Sequence, residues 1–239
     1  MPNKLCHTVE NSEGIGTNEE PKSEYYDENR KFYVCSYGGC GSWMLCHYLE
    51  NFGKTFHIHS RNPPNNLTYV GKVNDTNKKS KTLDEWFNSI LIKTDDLQKY
   101  TVIYLYKNPI QSILSRFIGK NNTCDRNHLK NIQCDKNGNI KLNEVLRTKQ
   151  DLYKLDEFFD NYTKVKTTET RRNYQIYCVK YEDFWKNIKS FNETIKIPDV
   201  EPLYPTRKET VRTMMFYELN HIYTPLIKKM NGMEFIEIR

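Results

Sequence analysis

Residues 33–45, YVCSYGGCGSWML, place glycine at 38, 39 and 41, between one apolar run and the next. Upstream, KFYVCSY (31–37) is dense in β-formers and reads as a buried strand. Downstream, in WMLCHYLENFG, Leu45, Tyr48, Leu49 and Phe52 recur at helical spacing, and Gly53 fits a helix stop. A strand that runs into a glycine turn opening a helix can point several backbone N–H groups inward together. The helix N-terminus adds the positive end of its dipole. The stretch therefore predicts an anion cradle made by Gly38, Gly39, Cys40, Gly41, Ser42 and Trp43, with phosphate the commonest guest.

Working outward, strands and helices alternate. KTFHIHS (54–60) alternates as a second strand and RNPPNN breaks it. TLDEWFNSILIKTDDLQ (82–98) reads as a helix capped by Thr82, with Glu85 three residues on. YTVIYLYKNP (100–109) is a third, buried strand, and Pro109 opens the helix IQSILSRF at the favoured first position. Residues 119–147 read as a long polar loop, and DLYKLDEFFDNYTKV as a helix. NYQIYCVKYED (173–183) is a fourth strand, followed by the helix FWKNIKSFNETI. A last helical region runs through residues 205–232, interrupted at Pro225. There are no internal repeats. This alternation predicts a single three-layer α/β domain over residues 31–239, with a central, mostly parallel sheet flanked by helices. Residues 1–30 are polar and nearly free of aliphatic side chains, so they read as a flexible tail.

The chain has 239 residues, with 36 basic and 30 acidic side chains, a formal net charge of +6. So mild an excess suits a small anionic ligand. No window is basic enough for a nucleic-acid arm, and no nucleic-acid module is visible, so no nucleic-acid partner is expected. Apolar runs fall far short of the ~20 residues that span a bilayer, and no signal-peptide order opens the chain. No membrane partner is expected. The seven cysteines, an odd number, fit a reducing compartment, and the chain reads as cytoplasmic. Cys35 and Cys178 read as buried strand residues. Cys124, His128 and Cys134 lack zinc-site spacing, so no metal is expected.

Two common phosphate loops do not fit the turn. The G-x-x-x-x-G-K-[ST] pattern needs a lysine before Ser42, where Gly41 stands, and G-x-G-x-x-G does not match glycines at 38, 39 and 41. A third one does. GGCGSW (38–43) resembles the phosphosulfate loop of the sulfotransferases that use 3′-phosphoadenosine 5′-phosphosulfate (PAPS), with Gly41 and Ser42 on the family's glycine and threonine. KNPIQSILS (107–115) resembles the family's R-N-P-x-x-x-x-x-S motif, and VKYED (179–183) its strand ending in Tyr-Glu-Asp. All three lie in family order, each at the C-terminal end of a predicted strand.

The resemblance implies a fold of the P-loop nucleotide-binding type and a PAPS-dependent sulfotransferase. Such an enzyme moves a sulfuryl group to a hydroxyl of a small-molecule or glycan acceptor: a sugar, a phenol or a tyrosine. It implies that Lys107 and Ser115 hold the 3′-phosphate, that Tyr181 helps hold the adenine, and that Arg207 adds a late basic contact. The family carries Lys or Arg where Gly39 stands, and Arg61 and Arg116 are the cations that could substitute. That departure leaves an alternative, a nucleotide-binding module of the same fold without turnover. The family also uses a His or Glu base. In FHIHS, His57 and His59 share one strand face and are the candidates here, with His59 nearer the strand end.

Overall fold

Strand β1 (Lys31–Cys35) lies between β2 (Lys54–Ile58) and β3 (Tyr100–Tyr106), and β4 (Ile176–Lys180) and β5 (Ile236–Ile238) complete the order β2-β1-β3-β4-β5. The computed structural model describes residues 23–59, 61–63, 100–117, 140–164, 174–207 and 215–239. β1, β2, β3 and β4 pair in parallel, and β5 runs antiparallel to β4. The fold is therefore α/β with a mostly parallel central sheet, as the alternation of elements predicts. From β1 the chain steps outward to β2, then returns to place β3 on the other side of β1. Where strand order reverses in this way, a crevice opens at the C-terminal strand ends.

The period-two alternation of the strands feeds two cores. Cys35, Val102, Tyr104, Tyr106, Ile176 and Cys178 point to one face. There they meet α2 (Pro109–Phe117), α3 (Leu142–Thr148), α4 (Leu155–Thr163) and α6 (Met215–Asn231). Phe32, Val34, Ile103, Leu105 and Val179 point to the other. They meet α1 (Ser42–Glu50), the 3-10 turn Tyr181–Lys186 and α5 (Ile188–Thr194). The first core is built on aromatic rings: Tyr104 stacks on Tyr162 with centroids 4.4 Å apart, and Phe158 on Tyr162 at 5.1 Å. Each such buried ring contributes ~1.5–3 kcal/mol. No helix of the described residues is long and apolar enough to cross a membrane.

Several expectations are corrected. Residues 23–30, expected in the tail, are folded: Asp27 N–H donates to Phe52 O at 3.1 Å, and Tyr25 packs on the second core. One aromatic anchors a stretch whose polarity suggested disorder. The helix Leu142–Thr148 takes in the end of the stretch 119–147 expected as loop, with Leu142 and Val145 buried on one face. The final helix runs through Pro225 without a break. That residue is exposed, so its missing N–H faces solvent rather than the core. β5 has no counterpart among the four expected strands. All four predicted strands are shorter than expected, and the residues trimmed from their C-terminal ends include Ser36, His59, Lys107 and Tyr181. The helix expected at 82–98, with Trp86 and Phe87, lies outside the described residues, as do Cys124, His128 and Cys134.

Candidate functional site

The turn after β1 is held open by Gly38, Gly39 and Gly41, at φ 102°, 69° and 82°. L-residues rarely adopt these left-handed angles. Packing reinforces the requirement at two of the three. A Cβ on Gly39 would lie 2.5 Å from the carbonyl oxygen of Ser112 on α2, and one on Gly41 would overlap the Tyr181 ring. Gly41 caps α1, its carbonyl accepting from Leu45 N–H at 3.2 Å, so Ser42 is the first helical residue. Cys40 is buried, within 3.4 Å of both Gly38 O and Ser112 Oγ. Burial pushes its thiol pKa up, while Lys107 and Arg116 pull the other way.

On the β3 and β4 side, Asn108 caps α2 through its Oδ1, which accepts from Ile110 N–H at 3.0 Å. Glu182 Oε1 in turn accepts from Asn108 N–H at 2.7 Å and ties the two strand ends together. Lys107 is 9% exposed, and its Nζ lies 4.6 Å from the centroid of the Tyr181 ring. Among the described residues this ammonium has no hydrogen-bond or ion-pair partner. Burial lowers its pKa and Arg207 lowers it further, against Cys40 and Glu182, which raise it. Trp185 stands edge-on to Tyr181 at 4.9 Å, and the Arg207 guanidinium lies 5.5 Å from the Trp185 ring.

On the β2 side a hydrogen-bonded chain crosses the turn. Ser36 Oγ donates to Ser42 Oγ at 2.9 Å, and Ser42 Oγ lies 2.9 Å from His57 Nε2. His59 Nδ1 lies 2.8 Å from Ser36 O, which can only accept, so Nδ1 carries the proton. His59 Nε2 is then the acceptor for Arg116 Nη2 at 3.2 Å. The His57 and His59 rings meet edge-on at 4.4 Å. Burial, helped by the Arg116 charge, lowers the His57 pKa to about 4.

The geometry thus gathers Gly38 to Ser42, Lys107, Tyr181, Arg207, His57 and His59 around one turn. Ser115 is exposed on α2 and its hydroxyl makes no hydrogen bond among the described residues; Ser112, one turn earlier, is the serine packed against the loop. Trp43 is 36% exposed, edge-on to His47 at 4.2 Å. Of the two substitute cations, Arg61 pairs with Glu157 at 3.1 Å, whereas Arg116 lies against Gly39. Ser36, Ser112 and Trp185 also lie against the turn, and no motif of the sequence singles them out. The i, i+4 spacing of Ser112 and Arg116 on one helix face was the signal available for the second side of the turn. Among the described residues no His, Cys, Asp or Glu cluster could hold a metal ion. No family model, curated protein or solved structure matches this chain.

Proposed function

We propose that this chain is a PAPS-dependent sulfotransferase of the P-loop nucleotide-binding type, acting on a hydroxyl of a sugar, phenol or tyrosine acceptor. The observation that carries the reading is Lys107. A lysine nine-tenths buried along its length, whose ammonium has no acceptor among the described residues, beside a left-handed glycine turn at a helix N-terminus, suits an anion. The motif resemblance at 38–43, 107–115 and 179–183 supplies the identity of that anion. In this reading the N–H groups of 38–43 hold the 5′ end of the donor, Lys107 with Arg207 holds the 3′-phosphate, and Tyr181 with Trp185 walls the adenine side.

Of the two histidines expected as base, His57 is the better placed. His59 bonds Ser36 O and Arg116, whereas His57 Nε2 lies 2.9 Å from the hydroxyl of Ser42, itself a residue of the glycine turn. A pKa of about 4 makes His57 a weak base in the free protein. An anionic donor in the cradle raises it toward neutrality, because a nearby negative charge favours the imidazolium. The binding-module alternative was motivated by the lack of a cation at position 39, and Arg116 against Gly39 weakens that motive.

The test is a transfer assay with sulfur-labelled PAPS across sugars, phenols and tyrosine peptides, alongside calorimetry with 3′,5′-bisphosphoadenosine. Labelled product together with nucleotide binding is the expected result. Tight binding with no transfer to any acceptor would leave the binding module in its place.

A further inference from the structure

We infer that Arg116 supplies the positive charge at the 5′ end of the bound nucleotide, opposite Lys107, and that His59 is the positioning residue that aims it. The inference rests on the sulfotransferase reading for the identity of the ligand. Its geometry is independent of that reading. The cations around the turn fall into two groups. Lys107 and Arg207 lie with Tyr181 and Trp185, where β3 and β4 end. Arg116 starts from α2, passes Gly39 and reaches His59 beyond the end of β2. The turn thus has a cation on each side, suited to a ligand with two separate anionic groups.

Gly39 and Arg116 explain each other. Position 39 has a left-handed φ, and a Cβ there would be driven into the Ser112 carbonyl of α2. The loop therefore cannot carry a cation at that position. The close approach that excludes it brings Arg116 Cγ to 3.3 Å from where that Cβ would be. The Arg116 side chain runs beside the place a Cβ at position 39 would take, and the charge arrives from the helix instead.

The partners of Arg116 leave it ready for an anion. It has no carboxylate partner among the described residues, and its buried Nε–H meets no acceptor there. A guanidinium has five N–H donors, and a buried donor without an acceptor is costly. An anion in the cradle satisfies it. The bond it does make is to a neutral imidazole, which fixes the direction of the guanidinium without cancelling its charge. A carboxylate at that point would do both. His59 can serve only in this tautomer, and the Ser36 carbonyl at the end of β1 enforces it.

The charge lies where transfer needs it. The acceptor oxygen bonds to sulfur, its proton passes to the base, and the bond between sulfur and the 5′-phosphate oxygen breaks. The nucleotide then leaves as the 3′,5′-bisphosphate, with the bonding electron pair as extra negative charge at its 5′ end. Arg116 is placed to stabilise that charge.

Calorimetry with 3′,5′-bisphosphoadenosine, adenosine 5′-phosphate and adenosine 3′-phosphate separates the two ends and needs no acceptor. Arg116→Gln should weaken the bisphosphate and the 5′-phosphate about ten- to a hundredfold, a typical loss for a charged hydrogen bond. The 3′-phosphate should stay within about twofold, on the same grounds. His59→Leu should reproduce this pattern. His59→Gln, which keeps an acceptor for Arg116, should restore most of the affinity. Arg116→Lys should fall between wild type and Gln, and it serves where Gln at 116 does not fold. Equal weakening of all three nucleotides by Arg116→Gln, or an effect on the 3′-phosphate alone, would overturn the assignment. His59→Gln as weak as His59→Leu would overturn the positioning role. Failure of the wild type to bind any of the three would bring down the sulfotransferase reading and this inference with it.

Discussion

At Gly41 the cradle is walled by aromatic rings, and Lys107 lies over one of them without an acceptor. At Gly39 it is walled by helix α2, and Arg116 is held by a neutral histidine. The aromatic side leaves its cation largely buried, with no hydrogen-bond acceptor among the described residues. A ring face returns ~0.5–2 kcal/mol, less than the several kcal/mol that an ammonium loses on leaving water. The helix side satisfies one donor of its cation and fixes its direction. The first side therefore stores a cost that an anion relieves; the second stores an orientation.

The largest expected effect comes from filling the two glycines. Both alanine variants force a left-handed residue, at ~1–3 kcal/mol each. At 39 the new methyl also meets backbone that cannot turn away, so Gly39→Ala should lose about 3–5 kcal/mol in urea denaturation. At 41 it meets a side chain that can yield, and about 1–3 kcal/mol should be lost. Tyr181→Leu should partly rescue Gly41→Ala and leave Gly39→Ala unchanged. A Gly39→Ala variant as stable as wild type would contradict the close approach of α2.

Acid separates the sides next. His57 belongs to the helix side, beside His59 and within the field of Arg116, and its folded pKa of about 4 lies below the ordinary 6.5. Between these values the unfolded chain takes up a proton that the folded one refuses. Stability is therefore intact above about pH 6.5 and falls as the pH drops toward 4, by roughly 2 kcal/mol. His57→Gln should flatten the thermal-melting profile over that window. An unchanged slope would place the proton uptake elsewhere.

The smallest effect is the most discriminating, because the two sides should respond with opposite sign. Lys107→Met removes a largely buried cation without an acceptor among the described residues and should raise the stability of the free protein by about 1 kcal/mol, while weakening nucleotides that carry a 3′-phosphate. Arg116→Met leaves His59 Nε2 without its donor and should lower stability by about 1 kcal/mol. Paired melting curves without ligand decide this; a shift of the same sign in both would erase the contrast between the sides.

The aromatic side was the more legible in the sequence. Lys107, Asn108, Pro109 and Tyr181 sit within a few residues of strand ends that β-propensity marks clearly, and the glycines mark the turn itself. The helix side depends on contacts between distant segments. Arg116 reaches His59 across 57 positions, and no local period announces that distance. The same limit hid β5, whose Ile236–Ile238 is too short to stand out and is defined by its pairing to β4. The helix at Leu142–Thr148 was hidden by the polar residues around its two buried positions, Leu142 and Val145. Strand ends were overrun because Ser36, His59 and Lys107 continue a β-like pattern after ladder pairing has stopped.

The ring pair at the aromatic side also has an optical consequence. Trp185 stands edge-on to Tyr181 and beneath Arg207, and Tyr181 lies under Lys107. The indole therefore sits in the field of two positive charges, close enough to Tyr181 to collect its excitation. An anion arriving there would offset that field, and a purine stacked on the rings, as the proposed donor would place it, would drain the excited state. The intrinsic emission of Trp185, isolated by replacing Trp43 and Trp86 with phenylalanine, would then change in colour and in intensity as the site fills. The chain would report its own occupancy without a label.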